Sequence, residues 1–298
     1  HTKPSMIITV IGLAVNIAGN FLFVYGGFGI EAMGGAGCGV ATALVFVAMA
    51  IATLVYITLA PRLRRYQLFV HWHKPHWRTI SQTFRLGLPI AMTVLFEVTL
   101  FAVIALLLAP FGANIVAAHQ IALNFSALMF MFPLSMGMAI SIRVSYRLGQ
   151  HRIRQARVAV KSAIVIGLSV ACLTATFTLL AKGLIISLYT SNEAVFAISS
   201  QLLIYAALFQ FSDAIQVISA NALRGYKDTT AMFYITFCAY WLIGLPIGVI
   251  LGRTDWLSSE PMAADGFWIG IIAGLTSAAI MLGYRLYIVQ KRLECSPT

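Results

Sequence analysis

Eight long runs almost free of charge dominate this 298-residue chain. They extend over Met6 to Phe28, Ala36 to Ala60, Leu86 to Ala109, Ala113 to Ile142, Ser162 to Ala181, Ala194 to Leu223, Thr229 to Gly252 and Gly266 to Tyr284. A hydrocarbon layer about 30 Å thick needs roughly 20 apolar residues per helical crossing, so each run predicts one membrane-spanning helix. Little chain is left for a separate soluble domain. Composition agrees, with 60% hydrophobic and only 10% charged residues, where an ordinary soluble domain carries about 25% charged. The predicted class is an all-α polytopic membrane protein. Pro89, Pro133 and Pro246 fall inside the runs and predict kinks rather than helix ends, because neighbours in a membrane bundle satisfy the freed carbonyls.

The connections between runs alternate in charge. Arg62, Arg64, Arg65, Lys74, Arg78 and Arg85 follow the second run, and Arg143, Arg147, Arg152, Arg154, Arg157 and Lys161 follow the fourth, with no acid in either stretch. With Lys3, Arg224, Lys227, Arg285, Lys291 and Arg292, 18 of the 20 basic residues fall on one side. The excess of Lys and Arg in cytoplasmic loops makes that side cytoplasmic. An even number of crossings then returns the C-terminus to the side of the N-terminus. This asymmetry accounts for the net charge of +11 without a nucleic-acid partner. The opening His1-Thr2-Lys3-Pro4 lacks the parts of a signal peptide and is expected to be an internal start.

Cys38, Cys172, Cys238 and Cys295 are far apart and form no C-x-x-C pair, so they are expected to be small apolar fillers. The group His71, His73 and His76 stands among Lys and Arg without a Cys or carboxylate, a poor metal site. Trp72, Trp77, Trp256 and Trp268 lie near predicted helix ends, where interfacial anchors are expected. The first two helices loosely echo the last two: Lys3-Pro4-Ser5-Met6 and Lys227-Asp228-Thr229-Thr230 open one pair member, and Gly34 to Gly39 and Gly266 to Gly270 open the other. A repeat of six helices follows, of which the first unit lacks four.

Only two formal charges lie inside the crossings, Glu97 in the third and Asp213 in the sixth, and no crossing offers either a basic partner. A charge at the bilayer centre costs about 2.5–3.5 kcal/mol on insertion scales, so each carboxyl should face the bundle interior. Without a resident cation, such groups either hold protons or bind a cation that comes and goes. Gln210 and Gln216 flank Asp213 at spacing three, with Asn221 slightly round the same side, and Gln120 and Asn124 share a face of the fourth helix. These oxygen-rich stripes suit a hard cation such as Na⁺, with Ser212 or Thr93 as added hydroxyls. His119, near a helix end, is expected to be interfacial or capped. Met129, Met131, Met136, Met138, Phe125, Phe130 and Phe132 are expected mainly to pack. Walker A, H-E-x-x-H and G-x-S-x-G motifs do not occur, which argues against an enzyme and leaves an ion gradient as the energy source.

Four segments carry a specific resemblance: Phe96-Glu97-Val98-Thr99-Leu100-Phe101 after Gly87-Leu88-Pro89; Ala118-His119-Gln120-Ile121-Ala122-Leu123-Asn124; Arg143-Val144-Ser145-Tyr146-Arg147-Leu148-Gly149; and Asp213-Ala214-Ile215-Gln216-Val217 leading to Leu223-Arg224-Gly225-Tyr226-Lys227-Asp228-Thr229. Together they resemble the NorM branch of the multidrug and toxic compound extrusion (MATE) transporters. The resemblance implies a fold of twelve helices in two lobes, of which this chain looks like helices five to twelve. Residues 1–60 would then end the N-terminal lobe, 61–85 form a basic cytoplasmic linker, 86–289 the six-helix C-terminal lobe, and 290–298 a cytoplasmic tail.

The resemblance further implies a monomeric antiporter in the bacterial inner membrane, with lipid around it, that exports cationic and amphipathic drugs against Na⁺ or, in other branches, H⁺. It needs no cofactor beyond the transported ion. The family's acidic pair maps onto Glu97 and Asp213 as cation ligands, and its amide beside the drug site onto Gln120, with Asn124 and Gln210 taken as further drug contacts. Phe209 stands where some relatives have tyrosine, so one hydroxyl ligand is missing. A lipid-precursor flippase of related architecture would want cations in its cavity, and no crossing supplies one.

Overall fold

The computed structural model describes residues 3–27, 31–60, 75–255 and 261–295. Its helices are α1 (Lys3–Tyr25), α2 (Gly35–Leu59), α3 (Trp77–Leu108, extended by a 3-10 turn over Ala109–Phe111), α4 (Ala113–Gly149), α5 (Ile153–Ser187), α6 (Glu193–Gly225), α7 (Thr229–Arg253) and α8 (Ala264–Cys295). Among the described residues no strand forms, and all eight helices are long and apolar enough to cross a membrane. Several continue well past the apolar runs. Trp77 starts α3 before Leu86, and α4 and α5 together take up most of the basic stretch between Ile142 and Ser162, leaving a turn at Gln150, His151 and Arg152. Lack of charge marks only the part of a helix that lies in hydrocarbon; long Arg side chains let the same helix continue through the headgroup region.

The chain divides into two compact units, His1–His76 and Trp77–Thr298. In the smaller, α1 and α2 form a hairpin whose seam is made of small residues. A side chain at Gly37 would run into the Phe23 carbonyl, and one at Gly19 would stand 3.1 Å from the Ala41 methyl. Met33 N–H closes the hairpin on the Phe23 carbonyl at 3.0 Å.

In the larger unit α6 is the central helix, packed along α4, α5 and α8. Its start is capped by Asn192, whose Oδ1 accepts from the N–H groups of Ala194 (2.9 Å) and Val195 (3.4 Å), with Glu193 at the positive end of the helix dipole. The α7–α8 pair meets backbone to backbone. A methyl at Gly270 would collide with Gly248 Cα, one at Gly266 would stand 2.5 Å from Gly252 N, and one at Gly274 3.1 Å from Gly244 Cα. Glycines every fourth residue on both helices permit this approach, which maximises dispersion contact where the hydrophobic effect gives none.

Helices α3 and α4 run unbroken through Pro89 and Pro133. The Pro89 carbonyl accepts from Thr93 Oγ1 at 2.8 Å. In α7 the proline has a larger effect: α-helix over Thr229–Phe237 loosens into a π-helical stretch, Cys238–Gly244, before Leu245–Arg253 resumes the α form. Pro246 has no N–H for an i−4 carbonyl and its ring crowds that carbonyl, so the preceding turn widens.

Candidate functional site

Asp213 lies midway along α6 and is 2% exposed. Ile204 and Leu208 of this helix remain exposed, but its stretch from Phe209 to Leu223 is covered by the neighbouring helices and can carry a polar stripe there. Gln210, Asp213, Gln216 and Asn221 are all buried there, as their spacing predicts. Gln210 Nε2 donates to Thr178 Oγ1 of α5 at 3.0 Å, and Asn221 Nδ2 donates back to the Val217 carbonyl at 2.9 Å. Four acceptor oxygens along this stripe, Gln210 Oε1, Asp213 Oδ1, Gln216 Oε1 and Asn221 Oδ1, have no hydrogen-bond partner among the described residues. Asp213 and Gln210 border a crevice of about 10 Å³ between α4, α5 and α6, closed by Met129, Phe130, Pro133, Gly167, Thr174 and Phe209. That is space for about one water-sized particle.

Glu97 comes from α3, where it is partly buried. Its neighbour Phe96 sets the rotation of α3 against α7, packing on Phe233 and Phe237 with ring centroids 5.5 and 5.1 Å apart. Helix α3 packs against the π-helical stretch of α7, on which α8 also packs. Tyr240 belongs to the π-helical stretch, is wholly buried, and has a hydroxyl with no partner among the described residues. The sequence reading does not single it out. The second of two tyrosines within an apolar run, six residues before Pro246, is the signal that was present.

The other named groups divide sharply. Gln120 and Asn124 lie on the exposed face of α4 and outside the crevice. Thr93 is buried and donates to its own helix, while Ser212 shares a 2.8 Å hydrogen bond with Thr276 of α8. Phe209 packs edge-on against Trp268, centroids 6.3 Å apart. Met129 is buried, whereas Met131, Phe132 and Met138 are exposed.

Two expectations need correction. Trp268 and His119 are not interfacial: both are 0% exposed, and Trp268 Nε1 donates to His119 Nδ1 at 3.2 Å. Each satisfies a polar atom of the other, so the pair can be buried where neither could be alone. Cys38 and Cys172 are exposed rather than packed. Trp77, by contrast, is 80% exposed at the start of α3, where an anchor is expected. His71, His73, Trp72 and Trp256 fall outside the described residues.

The fold and the buried acidic stripe define a polytopic, all-helical membrane protein built around an ionisable central helix. The MatE family model matches residues 89–250, and the chain belongs to that family, one of transporters and not of enzymes. It is 52% identical over 293 residues to the multidrug resistance protein NorM of Vibrio cholerae, an alignment covering 98% of this chain and 64% of the relative. It is 50% identical to the multidrug resistance protein MdtK of Proteus mirabilis over the same shares of each chain. Among solved structures it matches the MATE transporter NorM-NG in complex with a ligand and a monobody, at TM-score 0.82 and 36% identity, covering 98% of this chain and 62% of that one. The eukaryotic MATE transporter AtDTX14, at TM-score 0.82 and 23% identity, shares the fold. The chain therefore spans a little under two thirds of the length of these relatives.

Proposed function

We propose that this chain supplies the cation-binding part of an antiporter that exports cationic and amphipathic drugs across the bacterial inner membrane, with Na⁺ as the coupling ion. The supporting observation is the set of unpaired, buried acceptor oxygens on α6, to which the unpaired, buried Tyr240 hydroxyl of α7 and the Glu97 carboxyl of α3 are joined in this reading. An all-oxygen donor set carrying two carboxyl groups and no resident cation suits a small hard ion that is bound and then released. The multidrug resistance names of the relatives and the ligand complex of NorM-NG support the drug side of the exchange. Residues 1–60 belong in this reading to an N-terminal lobe, 61–85 to a linker, 86–289 to the C-terminal lobe and 290–298 to a tail. The basic ends of the helices face the cytoplasm.

In the proposed cycle Na⁺ enters at Glu97 and Asp213 from outside and weakens drug binding; its departure inward restores a negative site that attracts the next cationic drug. Coupling equals the differential affinity of the two ligands for the two states. Gln120 and Asn124, exposed on α4, contact the drug, whereas Gln210, expected from the sequence to do so as well, is buried beside Asp213 and belongs to the ion side.

The test is drug efflux from proteoliposomes of the full-length protein under an imposed Na⁺ gradient at fixed pH, or a pH gradient without Na⁺. Na⁺ coupling requires the first to drive export and Na⁺ to lower drug affinity. Export under the pH gradient alone would instead assign the carboxyls to H⁺. Glu97→Gln and Asp213→Asn preserve size and hydrogen-bonding capacity, so each should abolish gradient-driven export while leaving folded protein in the membrane. Normal export by the double variant would remove the site.

A further inference from the structure

At the basic end of the larger unit, α4 and α5 enclose a hollow of about 400 Å³ lined by Arg143, Arg147, Arg154, Gln155, Val158 and Ala159. Three arginines from two helices line it, and the sequence provides no acid to meet them. Only Asp228 and Glu294 lie on this side of the bundle. Both are taken: Asp228 Oδ2 by Arg285 at 2.7 Å, and Glu294 by Arg157 at 2.8 Å. Arg147 donates to Gln150 Oε1 at 3.0 Å and lies 5.8 Å from the Tyr146 ring centroid, contacts that orient its fork without neutralising it. The first turn of α5 contains no acidic residue, so the positive end of its dipole adds to the same field. Loop charge that serves only to fix topology needs no such grouping.

The position of the hollow selects the anion. Arg154, Val158 and Val165 share one face of α5, and Val158 and Val165 are exposed, as is Ile142 beside Arg143 on α4. Apolar surface thus runs from the arginines along the spans toward the membrane interior. At 3.6 residues per turn, Arg143 and Arg147 lie roughly 140–180° around α4 from Gln120, away from the polar stripe proposed to contact drug. We propose that this hollow binds the headgroup of an anionic phospholipid, its phosphate held by the forks of Arg143, Arg147 and Arg154 and its acyl chains lying along Val158 and Val165. Planar guanidinium groups match phosphate oxygens in bidentate fashion, and a pocket of this size admits a glycerol-phosphate headgroup.

The experiment titrates the full-length protein, in phosphatidylcholine nanodiscs, with a fluorescent phosphatidylglycerol and a matched phosphatidylcholine. Phosphatidylglycerol should bind about tenfold more tightly. The triple variant Arg143→Gln, Arg147→Gln, Arg154→Gln should lose that preference. The variant Lys227→Gln, Lys291→Gln, Arg292→Gln removes equal charge from the same side and should keep it. Should the triple variant not fold, Arg143→Gln and Arg154→Gln are measured singly, each expected to weaken binding about threefold. An equal loss in the two charge-matched variants would reduce the effect to general surface charge and overturn the site. Displacement of the lipid by millimolar inorganic phosphate would show a free-anion site and overturn the lipid assignment.

Discussion

Helices α4 and α6 both carry polar side chains at helical spacing, and the fold uses them in opposite ways. On α6 the groups Gln210, Asp213, Gln216 and Asn221 are turned inward and buried; on α4 Gln120 and Asn124 are exposed. The sequence pattern is the same, an amide or acid every third or fourth residue inside an apolar run. The difference lies in what surrounds each helix, since α6 is packed along three others and α4 keeps a broad free face. A buried stripe is bound to the stability of the bundle and to whatever ion it holds. An exposed stripe is free to meet a ligand.

Glycines show the same contrast and give the largest expected effect. Gly270 on α8 has no space beyond its own backbone, because any Cβ strikes Gly248, whereas Gly87 on α3 has nothing within 4 Å. Gly270→Leu should therefore prevent α7 and α8 from closing and leave no monodisperse protein in detergent, while Gly87→Ala should be neutral or stabilise by up to about 1 kcal/mol through helix propensity. Size-exclusion chromatography and thermal melts of the two variants decide the matter. Folded, stable Gly270→Leu protein would refute the tight seam.

A smaller effect separates Gln210 from the rest of its stripe. Its amide is joined to Thr178 across the α5–α6 interface at 3.0 Å, and interhelical hydrogen bonds in membranes average about 0.6 kcal/mol with a maximum near 1.7. Gln210→Ala should lower unfolding stability by that amount, measured by steric trapping or denaturant titration, and Thr178→Val by about the same. In the double variant the two losses should not add, because both remove one bond. Additive losses would mean that Gln210 is held by something other than Thr178.

Much of this arrangement is legible in the sequence, for reasons that also set its limits. The eight spans follow from apolar length, a property local to each segment. The inward turn of Asp213 follows from the cost of a charge in lipid. The apolar runs underestimate the helix ends because Arg147, Arg154 and Arg157 continue helices beyond them. The glycine spacing on α7 and α8 is visible, but which two helices it joins is a matter of tertiary pairing. The burial of Trp268 against His119 is likewise unreadable from either segment alone, since the indole N–H finds its acceptor on a residue 149 positions away.

The smallest expected effect tests the exposed side of the comparison. Gln120 and Asn124 are both exposed, and α4 is anchored to its neighbours instead through buried residues such as Ala118, Ala122, Phe125 and Met129. Gln120→Ala and Asn124→Ala should therefore change unfolding stability by less than about 0.5 kcal/mol, as for other surface positions. If the free face of α4 contacts drug, each substitution should nevertheless weaken drug binding a few-fold, about the worth of one hydrogen bond of roughly 1 kcal/mol. Na⁺ affinity should stay unchanged, since neither amide borders the crevice at Asp213. Parallel titrations with drug and with Na⁺ distinguish the cases. A stability loss equal to that of Gln210→Ala would mean that the α4 amides serve packing like those of α6, and the contrast between the two helices would collapse. A fall in Na⁺ affinity alone would move Gln120 from the drug side of the exchange to the ion side.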